Sequence, residues 1–287
     1  MNELLTRTFL FADGLDHPEC VAVHIDGSVW AGGEGGQIYR VPPGGGEWKE
    51  IVNTGGFILG IAFSPGCEWL AICDSGRKCL WRLDLQTNAL SLLSGGAGGH
   101  LFNIPNYAVF DAAGDLYVSE SGNFHKVNGK ILKFSRNGEG VIWHEGPFNF
   151  ANGMAMGKGG THLYVVSSWL PGVERIEINL DGSAGKREVF CTLPRTVPDG
   201  IAFDAEENLY VSCYTPNAIY KITPGRTAIS LVEDWEAHIL SNPTNIAFGG
   251  PRFDQLYTAS LGRWHLNRID IGVQGLPLAS HQKQTLK

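Results

Sequence analysis

Four polar residues, Glu19, Asn106, Asn152 and Asp199, recur at one phase of the sequence, each opening a short segment of alternating apolar residues. Two carboxylates and two carboxamides brought to one place form a set of hard oxygen donors. Two carboxylates facing each other in a dry space repel, and at least one keeps its proton unless a cation lies between them. Mixed Asp, Glu and Asn oxygens suit one divalent cation, calcium by preference, whose shell of roughly 6–8 oxygens can include water and substrate. Magnesium, manganese and zinc are the alternatives. No His stands at this phase and none of the six Cys forms a C-x-x-C pair, so an imidazole or thiolate site is not expected.

The elements that must position these groups are repeats. Five segments share one plan: NYAVFDAAGDLYVSES from Asn106, NGMAMGKGGTHLYVVSS from Asn152, DGIAFDAEENLYVSCY from Asp199, TNIAFGGPRFDQLYTAS from Thr244 and LGIAFSPGCEWLAICDS from Leu59. ECVAVHIDGSVWAGGE from Glu19 is the sixth, and the anchors 19, 59, 106, 152, 199 and 244 step by 40, 47, 46, 47 and 45 residues. Each unit reads as two strands joined by a Gly- or Asn-bearing turn, then a third strand such as GKILKF or AIYKI and a fourth such as REVFCTL. Four strands in about 45 residues make a propeller blade, so the expected fold is all-β, a six-bladed β-propeller. The last unit lacks a convincing fourth strand, whereas the amino-terminal RTFLFADGL resembles REVFCTL. The amino-terminal strand is therefore expected to complete the last blade, hiding the exposed edges. Residues 1–287 read as a single domain.

One Asn or Asp at a strand start is ordinary turn chemistry. Four polar groups at one phase, Glu19 among them, are not. In a propeller the first strand of each blade lines the central channel, so the six anchors form a ring around the axis, plain at Leu59 and Thr244.

Composition bounds the functional class. With 38 Gly and 43% apolar residues in 287, the chain is a turn-rich compact fold rather than a disordered or collagenous one. A net charge of -7 with scattered Lys and Arg argues against nucleic acid or anionic membrane as partner, leaving a small molecule. No apolar run approaches the roughly 20 residues that span a bilayer. The start, MNELLTRTFLFADGL, lacks the regions of a signal peptide, so a cytoplasmic location is expected. The six Cys read as small buried side chains of a reducing compartment.

HPE at 17–19, IPNYAVFDAAGDLYVSES at 104–121, FANGMAMGKGGTHLYV at 150–165, VPDGIAFDAEENLYVS at 197–212 and PTNIAFGG at 243–250 carry a resemblance. The chain resembles the senescence-marker-protein (regucalcin)/gluconolactonase family of six-bladed propellers, related to the diisopropylfluorophosphatases and the paraoxonases. The likeness covers nearly the whole chain, in the family's order Glu, Asn, Asn, Asp. It implies that Glu19, Asn152 and Asp199 ligate the metal. Asn106 would either bind the metal too or hold substrate or water. It also implies hydrolysis of sugar lactones, other lactones or organophosphate esters. An Asp commonly follows the family's first Asn; Tyr107 stands here, which speaks against a second, structural metal and alters the pocket floor.

The expected activity is thus that of a metal-dependent lactonase, gluconolactonase-like, with Asp199 as general base or nucleophile and Asn106 as an orienting group. The rivals are an organophosphate or aryl ester hydrolase on the same site and a non-catalytic ligand-binding propeller. Pocket walls are expected from the loops between second and third strands. Those loops offer Phe124, His125, Trp169, Tyr214, Trp264 and His265 as substrate contacts beside Tyr107.

Overall fold

Along each repeat the side chains alternate between two faces, as a strand buried on both sides requires. In the computed structural model, which describes residues 3–281, the repeats form six four-stranded antiparallel sheets. Blade one runs Cys20–Val23, Val29–Gly32, Gln37–Val41 and Lys49–Asn53 from the axis outward. The inner strands of blades two to six are Ile58–Phe63, Pro105–Phe110, Ala151–Met156, Val197–Phe203 and Pro243–Gly249. Each inner strand touches the next, and the sixth touches the first, which closes the ring. Blade six takes its outer strand from the amino terminus: Thr8–Asp13 pairs antiparallel with His265–Ile269. The first two and last six residues of the expected 1–287 domain lie outside the described residues. A hairpin that the repeat does not foretell, Gly96–Ala97 with His100–Leu101, is inserted before blade three.

Apolar burial between blades holds the ring together. Among the described residues the buried apolar side chains form six clusters, one at each blade interface. The recurring Leu-Tyr pair of the second strand shows how. Leu116 enters the cluster between blades two and three, while Tyr117 enters the one between blades three and four. Leu209 and Tyr210 divide in the same way between blades four, five and six. Adjacent residues of one strand thus fasten a blade to both neighbours. All six cysteines are buried and free.

The inner strands are irregular at the anchors. Pairing with the second strand skips between Ile58 and Gly60, Pro105 and Tyr107, Ala151 and Met154, Pro198 and Ile201, and Pro243 and Ile246. Leu59, Asn106, Asn152, Asp199 and Thr244 therefore stand in bulges, which bend the strand and re-aim its side chains. Glycine after an anchor lets neighbouring strands approach. A Cβ on Gly153 would press on the Asp199 carbonyl and lie 2.8 Å from Gly200 Cα.

Below the anchors the channel is apolar. It narrows to a cavity of about 70 Å³ and is covered at the far face by the carboxy-terminal segment. There the Leu276 amide donates to the Phe203 carbonyl at 2.8 Å, and His281 Nε2 lies 3.1 Å from the Val23 carbonyl. Among the described residues no helix is long and apolar enough to cross a membrane.

Gly153→Ala should lower unfolding free energy by about 1–3 kcal/mol, the usual cost of forcing extra volume into a packed interior. Gly44→Ala, where nothing lies within 4 Å, should stay within about 0.5 kcal/mol of wild type. Urea denaturation measures both, and equal effects would contradict the close approach of blades four and five.

Candidate metal centre

A chain of hydroxyl-to-carbonyl hydrogen bonds fixes the anchors from blade to blade. Ser121 Oγ donates to the Ala151 carbonyl at 2.6 Å and Ser168 Oγ to the Pro198 carbonyl at 2.8 Å. Ser212 Oγ lies 2.9 Å from the Thr244 carbonyl, and Thr244 Oγ1 donates to the Glu19 carbonyl at 2.7 Å. Each bond ends on an anchor or on the residue before one. The same hydroxyls catch amides released by the bulges or their neighbours: the Gly200 amide donates to Ser212 Oγ at 3.1 Å.

These bonds also set the carboxamides. Ser121 gives its one proton to Ala151, so it can only accept from Asn106, whose Nδ2 lies 3.0 Å away. Ser168 likewise accepts from Asn152 Nδ2 at 3.2 Å. Each amide nitrogen thereby commits one proton to its own blade, and that of Asn152 gives its other proton to Asp199. Asn106 and Asn152 are buried, at 6% and 5% exposure.

Glu19 and Asp199 complete the ring, keeping only partial exposure toward the mouth. Burial, reinforced by the Glu34 carboxylate, pushes Glu19 up to about 7. Burial and the Glu19 charge push Asp199 well above the usual carboxylate range, although a hydrogen bond from Asn152 opposes this. Among the described residues no three His, Cys, Asp or Glu gather around a common point, so the donors on offer are two carboxylates and two carboxamides. The oxygen-only set fits a hard cation, and the mutual repulsion of its carboxylates is what such a cation would relieve.

Tyr107 forms the floor. Its hydroxyl crosses the channel to lie 3.5 Å from the Asn245 carboxamide oxygen on the opposite blade. Burial pushes its phenol above the ordinary range, so it stays protonated.

Around the mouth, Phe124, His125 and Trp169 come together, with Phe124–Trp169 centroids 5.4 Å apart and His125–Trp169 4.9 Å apart. Tyr214 is exposed on blade five. His265 does not join them: its ring is buried and Nε2 lies 2.8 Å from the Ile239 carbonyl. Walls read only from loops between second and third strands miss residues that enter from the preceding blade. Phe150 is one, 5.7 Å from Phe124 by ring centroids. His17 is another, its Nδ1 2.9 Å from Glu34 and 3.1 Å from Asp16, its ring 4.5 Å from that of Trp264. Both sit two residues before an anchor, inside HPE and FANG, and that spacing was the available signal.

Glu19 and Asp199 set a pH dependence. Their folded-state pKa values lie above the unfolded ones, so the metal-free folded chain retains protons that the unfolded chain releases above about pH 4.5. Stability conferred by these groups is present at low pH and is lost as pH rises through about 7. In chelator, the melting temperature should fall by roughly 3–6 °C between pH 5 and 8. Saturating calcium, or Glu19→Gln, should reduce that fall. A fall of equal size in all three samples would contradict the facing pair.

A family model described as the SMP-30/Gluconolactonase/LRE-like region matches residues 35–262, and one described as strictosidine synthase-like, N-terminal, matches residues 2–41. STRICTOSIDINE SYNTHASE-LIKE 6 of Arabidopsis thaliana is 26% identical over 69% of this chain and 56% of its own length. A gluconolactonase of Zymomonas mobilis is 24% identical over 74% of this chain and 65% of its own. The chain thus spans between half and two thirds of these curated relatives. Among solved structures, a calcium-binding protein, regucalcin, from Agrobacterium tumefaciens superposes with a TM-score of 0.77 at 17% identity, covering 95% of this chain and 99% of that one. Fold, repeat and matched span agree, and the chain belongs to the SMP-30/gluconolactonase/LRE-like family.

Proposed function

We propose that this chain is a divalent-metal-dependent lactonase, with calcium the preferred ion and Glu19, Asn152 and Asp199 its ligands, joined by Asn106. The observation that carries the reading is the pair of walled-in carboxylates beside two buried carboxamides that hydroxyls of their own blades hold in place. Family membership supports the reaction class, and the relatives named gluconolactonase and regucalcin support lactone and calcium respectively.

When bound, the cation supplies Lewis-acid polarisation of an ester carbonyl and the positive charge that keeps Glu19 and Asp199 ionised. Asp199 is the proton acceptor. Its free carboxylate oxygen takes a proton from the attacking water as the water oxygen bonds to the lactone carbonyl carbon. The ring C–O bond then breaks, and the departing alkoxide takes that proton from Asp199, which yields the open hydroxy acid and restores the carboxylate. Asn106 does not titrate near neutral pH, so its part is orientation of substrate or water. Tyr107 and the apolar channel beneath it keep bulk water out of the site from below.

Asp199→Asn keeps an oxygen in the ring and removes the proton acceptor. At saturating calcium its turnover of the best lactone should fall about a hundredfold or more, in line with loss of general-base assistance. Asn106→Ala should fall less. A panel of lactones and aryl phosphate esters, with and without calcium, settles the electrophile. Near wild-type turnover by Asp199→Asn at full metal occupancy would overturn its role as base.

A further inference from the structure

Two groups of aromatic rings lie close to the anchors in the chain, on opposite blades. On blades three and four, Phe124 packs edge-on against both Phe150 and Trp169, at 5.7 Å and 5.4 Å between centroids. Trp169 directly follows Ser168, which holds Asn152. On blades one and six, His17 pairs with Trp264 at 4.5 Å. In a six-membered ring blade four faces blade one and blade three faces blade six, so the two groups oppose each other across the mouth.

The turns that carry these rings share a backbone geometry that recurs around the propeller, as at Lys78 and Asn242. His17, His125, Phe150 and Trp264 all have positive φ, at 38°, 56°, 65° and 58°. Phe124 and Trp264 are open to solvent, at 59% and 48% exposure, and Phe150 and Trp169 are half-buried. The Trp169 indole nitrogen is buried without a hydrogen-bond partner.

Several polar side chains around the same mouth are engaged within the protein. Asp74 accepts from the Phe57 and Arg77 amides and from Trp81 Nε1. Glu120 accepts from the amides of Asn103, Ile104 and Gly122. Asn103 and Asn242 donate to loop carbonyls. A polyhydroxylated substrate needs many unengaged donors and acceptors, whereas an apolar one needs bare ring surface.

We propose that the mouth selects lactones bearing an apolar aryl or alkyl substituent, seated between Phe150 with Phe124 on one side and Trp264 on the other, over sugar lactones. This deepens the lactonase reading and rests on it for turnover, but not for binding.

The probes are non-hydrolysable cyclic amides: a phenyl-substituted δ-valerolactam, unsubstituted δ-valerolactam and gluconolactam, titrated calorimetrically into calcium-loaded protein. The phenyl compound should bind at least about tenfold more tightly than either other, the scale of discrimination an apolar pocket gives. Phe150→Gly suits the positive φ and should fold, and Trp264→Ala is the second variant. Each should remove most of that preference and leave the unsubstituted lactam unchanged. The matching lactones should show the same order in kcat/KM. Tighter binding of gluconolactam, or equal losses on all three lactams, would overturn the proposal. If the lactams follow the expected order while no lactone is turned over, the selectivity stands and the lactonase reading fails.

Discussion

Two carboxylates held within reach of each other's charge, in a space largely closed to water, are the constraint on which the rest of this site depends. Folding alone gains nothing from placing Glu19 beside Asp199, since burial and repulsion raise both pKa values and make the ionised pair unfavourable. The six apolar interfaces between blades can sustain such a local cost because they bind every blade to two neighbours. Stability is thus carried at the blade interfaces, and the proposed chemistry at the axis.

The axis is made rigid by means that leave its oxygens free. Bulges release five of the six anchors from the strand ladders, and serine and threonine hydroxyls tie the chain at Glu19, Asn152, Asp199 and Thr244 to the adjoining blade. The serine that carries a proton to the next blade's carbonyl must accept from its own blade's carboxamide. That bond holds each carboxamide to its own blade. Tyr107 seals the floor where a charged residue would otherwise have invited water or a second ion.

The blades were legible because period-two alternation and an even repeat report the same geometry twice. The closing strand was legible for a related reason: Thr8–Asp13 matches the composition of an outer strand and its partner blade lacked one. The ring of anchors followed from their common phase. The bulges were not legible, since a register skip leaves no mark on composition. The roles of Ser121, Ser168 and Ser212 were equally hidden, because serine at a strand end has many ordinary uses. His265 shows the opposite error. Its position in a loop-like run suggested the mouth, yet a backbone carbonyl satisfies its ring in the interior. His17 and Phe150 were overlooked because chain entering from the preceding blade reaches the same face as the loops.

The central claim is that the paired carboxylates exist to hold one cation. Calorimetric titration of chelator-stripped protein with calcium, repeated from pH 8 to pH 6 in buffers of different ionisation enthalpy, tests it directly. The account predicts about one site per chain, with protons released on binding in increasing number as pH falls, because Glu19 and Asp199 retain protons until the cation displaces them. Absence of binding, or binding with no proton release at pH 6, would contradict it.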